Sequence, residues 1–279
     1  MSGGETRVAV SGAAGRMGRA VIAACRRAPG TRVVAATERP GSPHLGKDAG
    51  EWSGGDTLGL RIADSLHFPE SRPDVLIDFS QPEGTGAFAD RCREAGVRMV
   101  IGTTGLEERQ RAAVAAAAER VAVVFAPNMS VGVNLCFGLL ETAARVLGDR
   151  AEIEIVETHH SGKRDAPSGT ALQMGRIVCE ALGRRHESCA VYGRSGPGGR
   201  DPGSIGYASL RIGSAVGEHT ALFGLPGERV EIGHRAESRE IFADGAVRAA
   251  RWVVARPPGL YDMRDVLGLP RHLAAAGQS

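Results

Sequence analysis

The stretch Arg7-Val-Ala-Val-Ser11, followed directly by Gly12-Ala-Ala-Gly15-Arg-Met-Gly18, decides the fold. A short β-branched run passes through a glycine-rich turn into a small-residue helix that reaches about Ala28. Glycine permits the tight turn and lets the backbone approach a pyrophosphate, whose charge the positive helix end favours. The spacing is G-x-x-G-x-x-G, with Ala14 where the stricter dinucleotide fingerprint has its middle glycine. Such turns are common in isolation; Glu38 strengthens this one. It lies twenty residues beyond Gly18, at the end of the next strand (Thr31–Thr37), where an acid can accept hydrogen bonds from ribose hydroxyls. Arg39 beside it could receive a 2′-phosphate, so both NADH and NADPH fit.

Outward from there the first half keeps alternating. Strand-like runs at 75–79, 98–101 and 121–125 are separated by helical patterns near 84–95 and 106–119. Buried apolar strands alternating with helices imply a parallel, doubly wound sheet. Each run ends in a small or polar loop: 11–15, 37–39, 78–84, 102–105 and 126–128. In such sheets ligands bind outside the carboxyl ends of the strands, so these loops share one candidate surface. A helix is expected from about 131 to 147, then an alternating strand at 151–158. Three further strands at 205–212, 216–223 and 229–235 imply a second, mixed or antiparallel sheet. The stretch 193–203, rich in Gly, Pro and Arg, reads as a mobile loop, and a last helix at 241–255 could close back on the first domain.

The segment Glu157-Thr-His-His-Ser-Gly-Lys-Arg-Asp-Ala-Pro-Ser-Gly-Thr170 carries the chemistry. Ser168 is a good helix N-cap, and Ala171, Met174, Ile177 and Ala181 continue an apolar helical face. The amides of Gly169 and Thr170 would then point toward an anion, with Lys163 adding a full charge, so a carboxylate is the natural guest. His159 and His160 leave a strand end in roughly opposite directions, so one can donate a proton while the other contacts substrate or packs. Convergent metal-ligand spacing is not evident, so no metal is expected.

Bulk properties set the frame. A chain of 279 residues suits one large or two medium domains, and 42% hydrophobic with 24% charged residues is an ordinary globular balance. A net charge of +2 gives no support for nucleic-acid binding. Cys25, Cys92, Cys136, Cys179 and Cys189 are odd in number and widely spaced, which suggests neutral thiols in a reducing compartment. No apolar run is expected to reach bilayer length, and the first strand leaves no room for a signal peptide; the expectation is a cytoplasmic protein with no membrane partner.

Taken together, 12–18, Asp78-Phe-Ser-Gln-Pro-Glu83, Ile101-Gly-Thr-Thr-Gly105, Asn128-Met-Ser-Val-Gly132 and the 157–170 segment resemble the dihydrodipicolinate reductase family. Val216-Gly-Glu-His-Thr220 and Tyr261-Asp-Met-Arg-Asp265 resemble its later motifs, so the likeness spans nearly the whole chain. It implies an NAD(P)H-dependent oxidoreductase that reduces 4-hydroxy-tetrahydrodipicolinate, a small cyclic dicarboxylate, in lysine and diaminopimelate biosynthesis. It also implies a Rossmann-type dinucleotide-binding domain (1–130 and 241–279), an α+β substrate and oligomerisation domain with a mixed sheet (131–240), and a homotetramer. Matching positions give Gly12, Ala13, Ala14, Gly15, Arg16, Met17, Glu38, Arg39, Gly102, Thr103, Thr104, Ala126, Pro127, Asn128 and Met129 to the cofactor. They give His159 and Lys163 to proton donation, and His160, Lys163, Ser168, Gly169 and Thr170 to the substrate. Gln81, Met129 and Ser161-Gly162 depart from residues common in the family, which bears on cofactor preference and affinity.

Two other classes were weighed. A semialdehyde or homoserine type dehydrogenase is disfavoured because nothing resembling an active-site Cys motif accompanies the fingerprint. A non-catalytic NAD(P)H-sensing regulator is disfavoured by the His159 and Lys163 set and the lack of a basic DNA-reading segment.

Overall fold

The computed structural model describes residues 4–270. In chain order the elements are β1 (Thr6–Ser11), α1 (Arg16–Arg27), β2 (Thr31–Thr37), α2 (Ala49–Trp52), β3 (Ile62–Ala63), α3 (Phe68–Ser71), β4 (Val75–Asp78), α4 (Pro82–Ala95), β5 (Arg98–Ile101), α5 (Glu108–Ala118) and β6 (Ala122–Phe125). There follow α6 (Val131–Leu147), β7 (Glu152–His159), α7 (Gly169–Ala181), α8 (His186–Cys189), β8 (Ala190–Tyr192), β9 (Ile205–Arg211), β10 (Gly217–Leu225), β11 (Glu228–Ala236), α9 (Glu240–Val253), β12 (Gly259–Tyr261) and α10 (Met263–Leu267). Two compact units divide the described chain: 4–131 with 240–268, and 132–239 with 269–270. The expected division drew its lines at 130/131 and 240/241; its terminal stretches 1–3 and 271–279 lie outside the described residues.

The first unit is an all-parallel, seven-stranded sheet in the order β12-β6-β5-β4-β1-β2-β3. Its strands are apolar without alternation because helices cover both faces. Val8, Val10, Val75, Ile77, Val100 and Val124 pack on one side with α1 and α9. Ala9, Leu76, Met99, Ile101 and Val123 pack on the other with α4 and α5. The register aligns Ser11 with Thr37 and with Asp78, Asp78 with Ile101, and Ile101 with Phe125. Five carboxyl ends therefore form one row, and the five loops expected to share a surface do leave from it.

The second unit is a five-stranded mixed sheet, β11-β10-β7-β9-β8, whose first three strands are antiparallel and whose last three are parallel. Helices α6 and α7 cover one face, with Val133, Phe137, Leu140, Met174 and Val178 packed on Ile153, Ile155, Tyr207, Ala221 and Phe223.

The sequence missed α2, β3, α3, α8, β8, β12 and α10. Each has five residues or fewer, too short to show a period of its own. The expectation that no apolar run reaches bilayer length is also corrected. By length and composition alone the helical stretch Val131–Arg150 qualifies, with a mean hydropathy of 1.3. It is apolar on two sides: Val133, Phe137, Leu140 and Ala144 enter the core, while Leu135, Leu139 and Val146 are exposed. Cys25, Cys92, Cys136 and Cys179 are buried, and burial pushes the thiols of Cys25 and Cys179 up to about 12.

Helix α9 belongs with the first unit and lies on the α1 side of its sheet. A Cβ at Gly245 would lie 1.8 Å from the carbonyl oxygen of Met129, so only glycine admits this approach. In an unconstrained helix interior Gly→Ala is stabilising by roughly 0.5–1 kcal/mol. Here Gly245→Ala is expected instead to cost about 1–3 kcal/mol through overpacking. A denaturant melt showing equal or greater stability would contradict the close approach.

Candidate active site

Two polar constellations sit at strand ends, one in each unit. In the first, Asp78 is wholly buried at the end of β4. It accepts hydrogen bonds from Ser11 Oγ at 2.5 Å, from Thr103 Oγ1 at 3.1 Å, from the Ser80 amide at 3.2 Å, and from Thr85 Oγ1. One carboxylate thus ties together the loops after β1, β4 and β5 and the first turn of α4.

The glycine-rich turn is built for close approach. Gly12 has φ +65°, and a Cβ there would lie 2.6 Å from the Phe79 carbonyl oxygen. A Cβ at Gly18 would lie 2.1 Å from the Gly12 carbonyl oxygen, so α1 starts tight against the turn. Gly15 caps α1, whose first turn lacks acids, leaving a positive helix end facing the loop. The carboxylate of Glu38 accepts from the Ala14 amide and from the Arg39 amide, each at 3.0 Å. A cavity of about 460 Å³ lined by Gly12, Gly15, Glu38, Arg39, Phe79 and Gln81 adjoins it. These residues fit a dinucleotide: a compact, acid-free helix start for phosphate and an acid fixed at the ribose position. Trp52 braces the turn from below, its indole N–H donating to the Ala14 carbonyl at 3.2 Å.

In the second unit the sheet face covered by helices changes character along its length. Ile153 and Ile155 on β7, Tyr207 on β9, and Ala221 and Phe223 on β10 are core. Further along the same face come Glu157 and His159, Ser209 and Arg211, and His219 and Gly217. Register puts His219 opposite Glu157 and Arg211 opposite His159.

Glu157 is 1% exposed and is held through both oxygens. Oε2 lies 2.5 Å from His159 Nδ1 and accepts from Arg211 Nη1 at 2.9 Å. Oε1 accepts from Arg211 Nη2 at 2.7 Å and from the Ser168 amide at 3.2 Å. Burial pushes its carboxyl upward, but hydrogen bonds from Arg211, His159 and Ser209 outweigh that and hold it at about 2. His159 is buried and pushed below the ordinary imidazole value, first by desolvation and further by the charges of Lys163 and Arg211, against the pull of Glu157. His219 stands edge-on to His159 with ring centroids 5.0 Å apart, and burial lowers it to about 4.

Ser168 caps α7 as the sequence predicts, its hydroxyl accepting from the Ala171 amide at 3.2 Å. That hydroxyl also pairs with His219 Nε2 at 2.8 Å, so it is taken up inside the protein. The first turn of α7, Gly169-Thr170-Ala171-Leu172, is free of acids. Lys163 pairs with Asp165 at 2.8 Å, and His160 turns away from His159, its Nε2 lying 3.5 Å from Arg239 Nη2.

Comparison with known proteins agrees with this geometry. Family models described as dihydrodipicolinate reductase match at residues 6–129 (N-terminus) and 132–267 (C-terminus). The 4-hydroxy-tetrahydrodipicolinate reductase of Methylococcus capsulatus is 54% identical over 264 residues, covering 94% of this chain and 98% of its own. That of Alkalilimnicola ehrlichii is 56% identical over 265 residues, covering 95% and 99%. The chain belongs to the dihydrodipicolinate reductase family.

As a family member it is an NAD(P)H-dependent oxidoreductase. The dipicolinate-bound dihydrodipicolinate reductase from Paenisporosarcina sp. TG-14 has the same fold, with a TM-score of 0.73 over 92% of this chain and 97% of that one at 23% identity. The fold class expected from the sequence, a Rossmann-type parallel sheet plus an α+β unit with a mixed sheet, is the one observed.

Some predicted site residues have their side chains turned into the protein. Ala13, Thr103, Ala126 and Met129 are buried, and the Thr103 hydroxyl is engaged by Asp78. Sequence reasoning gave no role to Glu157, Arg211, His219, Asp78 or Asp165. Glu157 had a signal: two residues before His159 on a strand, it must share that histidine's face. Arg211 and His219 had none nearby, since only strand pairing brings them in.

The depressed histidines make the second unit acid-sensitive. Unfolded, His219 takes up a proton near 6.5; folded, near 4. Its contribution to stability is complete above about 6.5 and is lost as pH falls toward 4. Glu157 contributes fully above 4.5 and loses its share toward 2. Thermal melts should therefore drop by several degrees between pH 6.5 and 4, and His219→Asn should flatten that fall. A variant curve with the wild-type slope would exclude the assignment.

Proposed function

We propose that the chain reduces 4-hydroxy-tetrahydrodipicolinate (dihydrodipicolinate) to tetrahydrodipicolinate in the cytoplasm, as a step of lysine and diaminopimelate biosynthesis. The observation that carries the residue roles is the setting of His159. Its imidazole is fixed to a buried carboxylate beside the start of a helix whose first turn is free of acids, within reach of the Lys163 charge. The names of the relatives support the substrate, as does the dipicolinate held by the Paenisporosarcina reductase.

When bound, NADH or NADPH would supply a hydride to C4 of the ring once the 4-hydroxyl has left as water to give the conjugated dihydro ring. The unit carrying the fingerprint binds it through Gly12–Met17, Glu38, Arg39, Gly102–Thr104 and Ala126–Met129. His159, assisted by Lys163, supplies the proton to the adjacent carbon. Gly169 and Thr170 offer the amides of a positive helix end to one carboxylate, and the Ser168 cap holds that end in place. His160 and Lys163 take the remaining carboxylate charge, and substrate replaces Asp165 as the partner of Lys163. Fixing the ring in this way can supply several kcal/mol of the barrier reduction.

The mixed-sheet unit binds substrate and builds a homotetramer. Support comes from the sheet face turned from the helices, which carries Val156, Leu222 and the 52% exposed Leu210. Sedimentation should then give about four times the 29.1 kDa chain mass, and a monomer would refute the assembly.

Oxidation of NADH or NADPH with the condensation product of pyruvate and aspartate semialdehyde tests the activity. His159→Gln should lower kcat by roughly 100- to 10,000-fold with the cofactor KM little changed. Near-normal turnover would remove its role. Lys163→Ala should raise the substrate KM as well as lower the rate, and an unchanged KM would argue against the carboxylate contact.

A further inference from the structure

We propose that Glu157 is the positioning residue of proton transfer: its carboxylate fixes the tautomer of His159 and pins the start of α7, so one side chain aligns the proton donor with the anion-binding helix. The proposal rests on the reading of His159 as the donor.

The geometry leaves little choice of tautomer. A carboxylate held by both guanidinium nitrogens of Arg211 can only accept hydrogen bonds. The His159 Nδ1 that lies 2.5 Å from it must therefore carry the hydrogen, and Nε2 is left as the nitrogen that exchanges the proton. The side of the ring at Nε2 is kept open by a glycine. A Cβ at Gly217 would lie 3.0 Å from His159 Nε2. The other carboxylate oxygen accepts from the Ser168 amide, one residue before the first helical turn of α7. A movement of Glu157 would disturb the imidazole and the helix start together.

Charge reinforces geometry. The groups facing His159 are Glu157 on its own strand, Lys163 in the following loop, Arg211 on β9 and the ring of His219 on β10. Lys163, Arg211 and burial all oppose protonation of His159. Of these groups only Glu157 favours the imidazolium, which the donor must become before it gives up its proton. Arg211 in turn keeps Glu157 an acceptor, because a protonated carboxyl would compete with the imidazole for the shared hydrogen.

The test measures kcat and both KM values against pH for Glu157→Gln, Glu157→Asp, His159→Gln and the double variant Glu157→Gln/His159→Gln. In Glu157→Gln the rate should fall by roughly 100-fold while the cofactor KM stays put. Its activity should also decline at lower pH than wild type on the alkaline side, because the protonated donor is lost sooner without the negative charge. Glu157→Asp should restore the position of that limb, since it restores the charge. The double variant should be no slower than His159→Gln, because both act through one proton. If Glu157→Gln keeps the wild-type rate and pH profile while His159→Gln is slow, the proposal falls and the donor reading stands. If His159→Gln itself turns over normally, the donor reading falls with it. A measurement that needs no Glu157 variant is the imidazole nitrogen NMR of the wild-type enzyme, with His159→Gln for assignment. A neutral His159 ring protonated at Nδ1 is expected, and protonation at Nε2 would overturn the proposal.

Discussion

A carboxylate sealed from water must collect its hydrogen bonds from the surrounding chain, and each unit of this protein is organised round one such group. In the first unit Asp78 gathers Ser11, Ser80, Thr85 and Thr103, which lie on a strand end, two loops and a helix start. In the second, Glu157 gathers His159, Arg211 and the Ser168 amide. Both acids close a strand or nearly so, where the register brings neighbouring strand ends alongside. Loops that would otherwise vary in position are thereby given fixed geometry at the edge where ligands meet the sheet.

The cost of burying these charges shapes the chemistry. Glu157 stays an acceptor because the Arg211 guanidinium meets both of its oxygens, and its negative charge in turn draws a proton to His159. His219 is driven toward neutrality by burial and pairs with the Ser168 hydroxyl. That hydroxyl caps α7 and fixes the helix end proposed to face the substrate carboxylate. The imidazole and the anion site are therefore not separate devices; a chain of hydrogen bonds joins them. On the proposed function, such coupling would keep the proton donor in register with a ring held by its carboxylate.

Much of this was legible. The alternation of apolar runs and helical patterns gave the parallel sheet, because strands buried on both faces need no polar positions. Ser168 declared itself as a cap through its residue type and the apolar spacing after it. The turn at 12–18 and Glu38 marked the strand ends at which the candidate dinucleotide surface lies. What escaped has physical reasons. Elements such as β3 and α10 are too short to carry a period, and Trp52, which braces the glycine turn, sits on one of them. Helix α6 is apolar on two sides, so its hydropathy alone does not distinguish a core helix from a longer apolar span.

The sequence by itself determined the class of fold, the family and the chemical character of the two ligands, because those follow from residue types at local spacings along one stretch of chain. Only the tertiary structure decided how His159 is held. Arg211 and His219 lie more than fifty residues from Glu157 and reach it by strand register, which no local pattern encodes. Whether a histidine is neutral, and which of its nitrogens carries the hydrogen, depends on burial and on charges brought from other strands. Those are properties of packing, not of spacing.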